Sequence, residues 1–221
     1  MNLLGFDCST ASCAVCVVRS DGAAFEAPHA EPLAERPAHG RELLAAIVAT
    51  LERSGIAFSD LDAIAVGVGP GGFTGLRIGI STAHGLALAH GTPLRPVSSL
   101  AALAAGIDSP LALPLIDARR GELFGALYEN GERRWEPFAL TPEDLATRLA
   151  GEASAPLAAG DGALRYREPL ERAGLAIAGA DAPAHRVSAA QVCRLAEGVA
   201  DRAPEAVRPD YVREPDARPN S

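Results

Sequence analysis

One local pattern occurs twice in this chain of 221 residues. At the start, "NLLGFDCSTASCAVCVV" runs as an apolar stretch, Asp7, a polar turn and a second apolar stretch. From residue 111, "LALPLIDARRGELFGALYEN" repeats that order around Asp117. A short apolar run closed by turn-forming residues reads as a buried strand, and two such runs about a polar turn read as a hairpin. Each hairpin is followed by the same succession. After the first come a strand in "DGAAFEAPH", a helix with Leu43, Leu44, Ile47, Val48 and Leu51 at helical spacing, and Gly55 as its stop. The strand "DAIAVGVG" and a helix from Gly75 to His90 complete the set. "TPLRPVSS" is extended, and Ser98 or Ser99 can cap the helix "LAALAAG". After the second hairpin come a strand in "RRWEPFAL", a helix capped by Thr141, the strand "APLAAG" and further helices. The pattern is a βββαβα unit used twice, which predicts an α/β fold of two similar lobes. The Pro- and Arg-rich tail "APEAVRPDYVREPDARPNS" is expected to be ordered through Tyr211 and frayed beyond it.

The join between "DAIAVGVG" and the following helix is glycine-rich and contains Gly67-x-Gly69-x-x-Gly72, a formal dinucleotide fingerprint. That motif needs an acidic residue about 20 positions further on to hold a ribose. "LALAHGTPLRPVSS" offers none, and Pro70 removes a backbone donor from the loop. All 20 cationic side chains are Arg, so a P-loop lysine and a Schiff-base lysine are excluded. Gly75, Gly79, Ala83 and Ala87 instead recur every four residues, forming a ridge of small side chains that another backbone can approach. Glycine costs roughly 1 kcal/mol relative to Ala in a helix, so close packing is expected to compensate. Spacing alone leaves open whether the neighbour is this chain's own sheet or a second protein.

A net charge of −8 argues against a chain that clamps nucleic acid by itself. The N-terminus lacks a basic segment and Asp7 interrupts its first apolar run, unlike a signal peptide. No apolar run reaches the roughly 18 residues of a membrane span. Cys8, Cys13, Cys16 and Cys193 are too few and too clustered for a disulfide framework, so a reduced, cytoplasmic protein is expected. Cys13-x-x-Cys16 reads as structural, because residues three apart on a strand point to opposite faces. His29, His39, His84, His90 and His185 show no chelating spacing. His39 is expected at the surface or an interface.

Asp7 with Ser9 and Thr10, and Asp117 with Arg119, form the remaining constellation. Two carboxylates at equivalent strand ends can face one cleft and hold a metal-bound phosphate. Equally, both can be turn formers that satisfy backbone donors. Both readings stay open here.

Four blocks carry a family resemblance. "GPGGFTGLRIG", residues 69–79, resembles the GPGSFTGLRIG signature of the TsaB family. "FDCSTASCAV" resembles its N-terminal DTST hairpin, "IDARRGE" its IDAR segment and "PDYVRE" its PxYxR block, all in the family's order. The resemblance implies an actin/Hsp70/sugar-kinase-like (ASKHA) fold of two βββαβα lobes, drawn at 1–100 and 101–221, the second abbreviated. It also implies a non-catalytic subunit that pairs with TsaD, which transfers a threonylcarbamoyl group to N6 of the adenosine beside the tRNA anticodon. TsaE, an ATPase, assists turnover, and tRNA is met only through the complex. A homodimer in isolation is left open. TsaD-type proteins carry an HxxxH metal pair where this chain has Ser99 and Leu103, so no metal, cofactor or catalytic residue is expected. Gly72 stands where the family usually has Ser, and Cys8 where actin-type ATPases tend to have Gly. Asp7, Ser9, Thr10 and Asp117 are then vestigial phosphate loops. The expected docking surface joins Leu43, Leu44 and Ile47 with Gly75, Arg77, Gly79, Ala83 and Ala87. The alternative is a small ATPase or phosphotransferase using Asp7, Ser9, Thr10 and Asp117 in the interlobe cleft; a glycoprotein endopeptidase would lack its HxxxH ligands.

Overall fold

The computed structural model describes residues 1–27, 33 and 39–213. His29 and the tail beyond residue 213 lie outside the described residues. The first sheet contains β1 (Leu3–Asp7), β2 (Ala14–Val18), β3 (Ala24–Glu26), β4 (Ala63–Gly69) and β5 (Leu94–Ser98). Their order is β3-β2-β1-β4-β5, antiparallel through the hairpins and parallel from β1 to β5. Helix α1 (His39–Ser54) links β3 to β4, α2 (Phe73–His90) links β4 to β5, and α3 (Ser99–Ala104) follows β5. The expected stop at Gly55 holds: it has φ 68°, immediately after α1.

The second sheet repeats this plan. It uses β6 (Leu111–Arg119), β7 (Glu122–Gly125), β8 (Tyr128–Glu129), β9 (Glu132–Arg133), β10 (Phe138–Leu140), β11 (Leu157–Ala159) and β12 (Ala176–Ile177). The order β10-β7-β6-β11-β12 matches β3-β2-β1-β4-β5 strand for strand, with β8 and β9 as an added flap. Helices α4 (Pro142–Leu149), α5 (Asp161–Arg165) and α6 (Arg167–Arg172) take the connecting positions. Thr141 caps α4 as expected, its Oγ1 accepting the Asp144 N–H at 3.2 Å. The strand expected over "RRWEPFAL" is instead two short pieces, β9 and β10, separated by Arg134 to Pro137; proline cannot donate to a ladder there.

Both faces of the first sheet are covered, which is why its strands read as unbroken apolar runs. Leu4 and Phe6 join Leu43, Ile47, Val66, Ile80 and Ala83 beneath α1 and α2. Leu3 points the other way and meets Cys193 of the last helix, α7 (Ala189–Ala196). The first sheet ends at Ser98 and the second begins at Leu111, and α7, from the far end of the chain, packs back on the first sheet. No helix among the described residues is long and apolar enough to cross a membrane.

Candidate functional site

Asp7 ends β1 with a side chain turned into the protein. Its Oδ1 accepts the Ser9 N–H at 2.7 Å and the Ser9 hydroxyl at 2.5 Å. Its Oδ2 accepts the hydroxyl of Ser99 at 2.5 Å. Asp7 is 1% exposed, and the carboxylate occupies the space where a side chain on Gly67 would stand. Ser98, not Ser99, caps α3, which leaves Ser99 free to reach Asp7. Leu103, the other position compared with the HxxxH pair, is fully buried in the interlobe core.

Two backbone donors of the glycine loop are spent internally. The Gly69 N–H donates to Ser99 Oγ at 3.1 Å, and the Gly72 N–H donates to the Ser9 carbonyl at 2.7 Å. Pro70 has none. A phosphate cradle needs such groups free and pointing outward.

Asp117 repeats the turn of Asp7. Its Oδ1 accepts the Arg119 N–H at 2.9 Å, the same two-residue step as Asp7 to Ser9. Its Oδ2 is held by Arg165 at 2.8 Å and Arg119 at 3.2 Å. The turn-forming reading of both aspartates is thus realised. Sequence reasoning missed Asp161, which accepts the Asp117 N–H at 3.1 Å. The signal was available: "AGDGALR" follows β11 where the glycine loop follows β4. Burial, reinforced by the neighbouring Asp117, raises the Asp161 carboxyl to about 6.

Between the lobes lies a cavity of about 410 Å³ lined by Ser9, Thr10, His39, Asp117 and Asp161, among others. Asp7 is not in its wall, so three of the four expected phosphate-loop residues share a cavity and the fourth is sealed behind them. His39 is not a surface residue: it is 6% exposed, with Nε2 2.8 Å from the Thr10 carbonyl. Among the described residues, no group of three or more His, Cys, Asp or Glu side chains is placed to hold a metal ion. A second cavity of about 420 Å³ adjoins it across Phe73 and Arg119. The PxYxR block forms its wall: Tyr211 stacks on Phe73 at 5.7 Å and accepts a hydrogen bond from Arg77, while Arg213 pairs with Glu122 at 2.5 Å. The block thus straps one lobe to the other.

The expected docking surface needs correction. Leu43, Ile47, Gly75, Gly79, Ala83 and Ala87 are all buried within this chain. The carbonyl of Cys8 lies so close to Gly75 that a Cβ there would overlap it, and the Cys8 side chain lies against Gly79. The neighbour that needs the small-residue ridge is the β1–β2 turn. Of the expected set only Leu44 and Arg77 face outward. The outward sides of α1 and α2 do carry large apolar side chains: Leu44 is 54% exposed, Val48 46% and Leu88 74%.

Two matched lobes, each opened by an aspartate at the end of its first strand, define a protein of the actin/Hsp70/sugar-kinase class. The ethanolamine utilization protein EutJ from Carboxydothermus hydrogenoformans shares this fold, with TM-score 0.52 and 14% identity over 87% of this chain and 89% of its own. The family model for "TsaD: tRNA N6-adenosine threonylcarbamoyltransferase" matches residues 31–214. The solved structure of YeaZ from Pseudomonas aeruginosa is 31% identical, with TM-score 0.76 over 95% of this chain and 99% of its own. The tRNA threonylcarbamoyladenosine biosynthesis protein TsaB of Escherichia coli is 37% identical over 139 residues, which is 60% of this chain and 57% of that protein. The chain belongs to the TsaB family, within the wider family that the TsaD model describes. It spans little more than half the length of the curated relatives named TsaB that it matches.

Proposed function

We propose that this chain acts in tRNA threonylcarbamoyladenosine biosynthesis as a non-catalytic subunit that binds and activates a TsaD-type transferase. The observation that carries the reading is the outward face of α1 and α2. Leu44, Val48 and Leu88 stand exposed there, and α2 bears one Arg and no acidic residue along its whole length. Large apolar side chains in solvent on adjacent helices mark a surface meant to be covered. The interior supports the same reading from the other side. Asp7 has both oxygens engaged, and Ser99 and Leu103 stand where the transferase would carry metal-ligating histidines. The partner supplies the reacting groups, a TsaE-type ATPase completes the assembly, and tRNA is met only through the complex.

The test is a threonylcarbamoylation assay with the cognate transferase and ATPase, with and without this chain. The expected result is modification that depends on its addition. Equal modification in its absence overturns the activating role, and detectable transfer by this chain alone overturns the non-catalytic one.

A further inference from the structure

The four cysteines lie on opposite faces of the β1–β2 hairpin, all as free thiols. Cys16 of β2 and Cys193 of α7 are fully buried together on one side of the first sheet. Cys8 and Cys13 flank the 9–12 turn on the side facing α1 and α2. Because β1 and β2 pair Asp7 with Ala14, Cys8 and Cys13 are the next facing positions, and their Sγ atoms are 3.2 Å apart. A disulfide bond is about 2.0 Å long, so closure asks for a relative movement of about 1 Å, within reach of side-chain rotation. Cys8 is 1% exposed, whereas Cys13 is only partly buried. The turn between them is a seat for both helices. Its Ser9 carbonyl accepts the Gly72 N–H, its Thr10 carbonyl meets His39 of α1, and the Cys8 carbonyl lies on Gly75 of α2.

We propose that Cys8 and Cys13 form a redox modification site, a dithiol that a low-molecular-weight disulfide closes into an intramolecular bond, with Cys13 as the entry thiol. The Cys13 thiolate attacks one sulfur of the small disulfide, forming a mixed disulfide and releasing the other half as a thiolate. Cys8 then attacks the Cys13 sulfur, forming the Cys8–Cys13 bond and releasing the second half. The two protein thiols lose two electrons and two protons, and the small disulfide becomes two thiols. The hydrogen bond shared with Cys13, together with burial, raises the Cys8 thiol well above its ordinary range. Cys8 is also shielded from the small disulfide while Cys13 is partly exposed, so Cys13 reacts first and Cys8 resolves. Closure staples the turn on which α1 and α2 rest. Cys16 and Cys193 stay reduced because no oxidant reaches them.

The full chain, reduced and then equilibrated with excess oxidised glutathione, is alkylated under native conditions, unfolded, alkylated with a second reagent and mapped by peptide mass spectrometry. The expected product lacks the mass of two hydrogen atoms, joins Cys8 to Cys13, and carries the second reagent on Cys16 and Cys193. Free Cys8 and Cys13 after this treatment overturn the proposal, as does a stable glutathione adduct on Cys13 with Cys8 still a thiol. In Cys8→Ser the adduct on Cys13 should accumulate, and in Cys13→Ser no adduct should form; modification of Cys8 in that variant removes the assigned order. The unmodified chain suffices for the main result, so neither variant has to fold for it to be decided.

Discussion

Ser99 donates its hydroxyl to the Oδ2 of Asp7 at 2.5 Å and accepts the Gly69 N–H at 3.1 Å. One side chain after β5 thus ties the end of β1 to the end of β4. Both oxygens of the buried Asp7 carboxylate are thereby hydrogen-bonded, as a buried charge requires. Four predictions follow from this arrangement and from the surfaces around it.

Ser99→Ala leaves the Asp7 carboxylate and the Gly69 N–H each one partner short. An unsatisfied buried group costs about 1–3 kcal/mol, more when charged. Urea unfolding of the variant should show a loss of at least that size, and Asp7→Asn combined with Ser99→Ala should cost less than the two single changes together. Additive losses would mean that the two side chains are not coupled.

Gly75→Ala and Gly85→Ala lie on the same helix and should differ in sign. A methyl at Gly75 overlaps the Cys8 carbonyl, whereas nothing lies within 4 Å of one at Gly85. The first should destabilise by about 2–3 kcal/mol, towards the upper end of overpacking, and the second should stabilise by about 0.5–1 kcal/mol. Thermal melts of the pair check this; equal shifts would place the glycine ridge away from the β1–β2 turn.

Asp161 gives stability a pH dependence. Its carboxyl is raised to about 6, against roughly 4 in the unfolded chain. Between these values the folded state binds the proton that the unfolded state has released, so stability falls as pH rises through that window. The contribution is fully present below the unfolded value and lost above about 6. Asp161→Asn, which keeps an oxygen for the Asp117 N–H, should therefore exceed the parent by roughly 3 kcal/mol at pH 8 and match it at pH 3. Denaturant titrations across pH measure the difference; a constant gap would show that the carboxyl does not titrate in that range.

Leu88→Glu and Val48→Glu place charge on the outward face of α1 and α2 and should leave the melting temperature within a degree or two, since surface changes seldom exceed ±0.5 kcal/mol. Each should weaken capture of the cognate transferase by about tenfold or more. Undiminished capture would move the contact elsewhere on the chain. A bulky side chain at Gly79 is a poor test of the same point, because the space it would enter is filled by Cys8.

Much of the architecture was legible in the residues. The repeat about Asp7 and Asp117 foretold two sheets of equivalent order, since hydrophobic runs and turn formers are local signals that survive into the fold. The glycine loop was read as unlike a nucleotide loop because two residue types are absent there, a lysine and a ribose-binding acid. Tertiary structure alone decided the rest. The four-residue ladder on α2 demanded a close neighbour, and only the path of the chain identified it as the turn at Cys8. Leu43 and Leu44 are adjacent on one helix, yet one is buried and the other exposed, because burial depends on which side the sheet lies. Ser99 reaches Asp7 across 92 positions and Cys193 returns to Cys16 across 177. Such pairings depend on distances in space, and spacing along the chain carries no record of them.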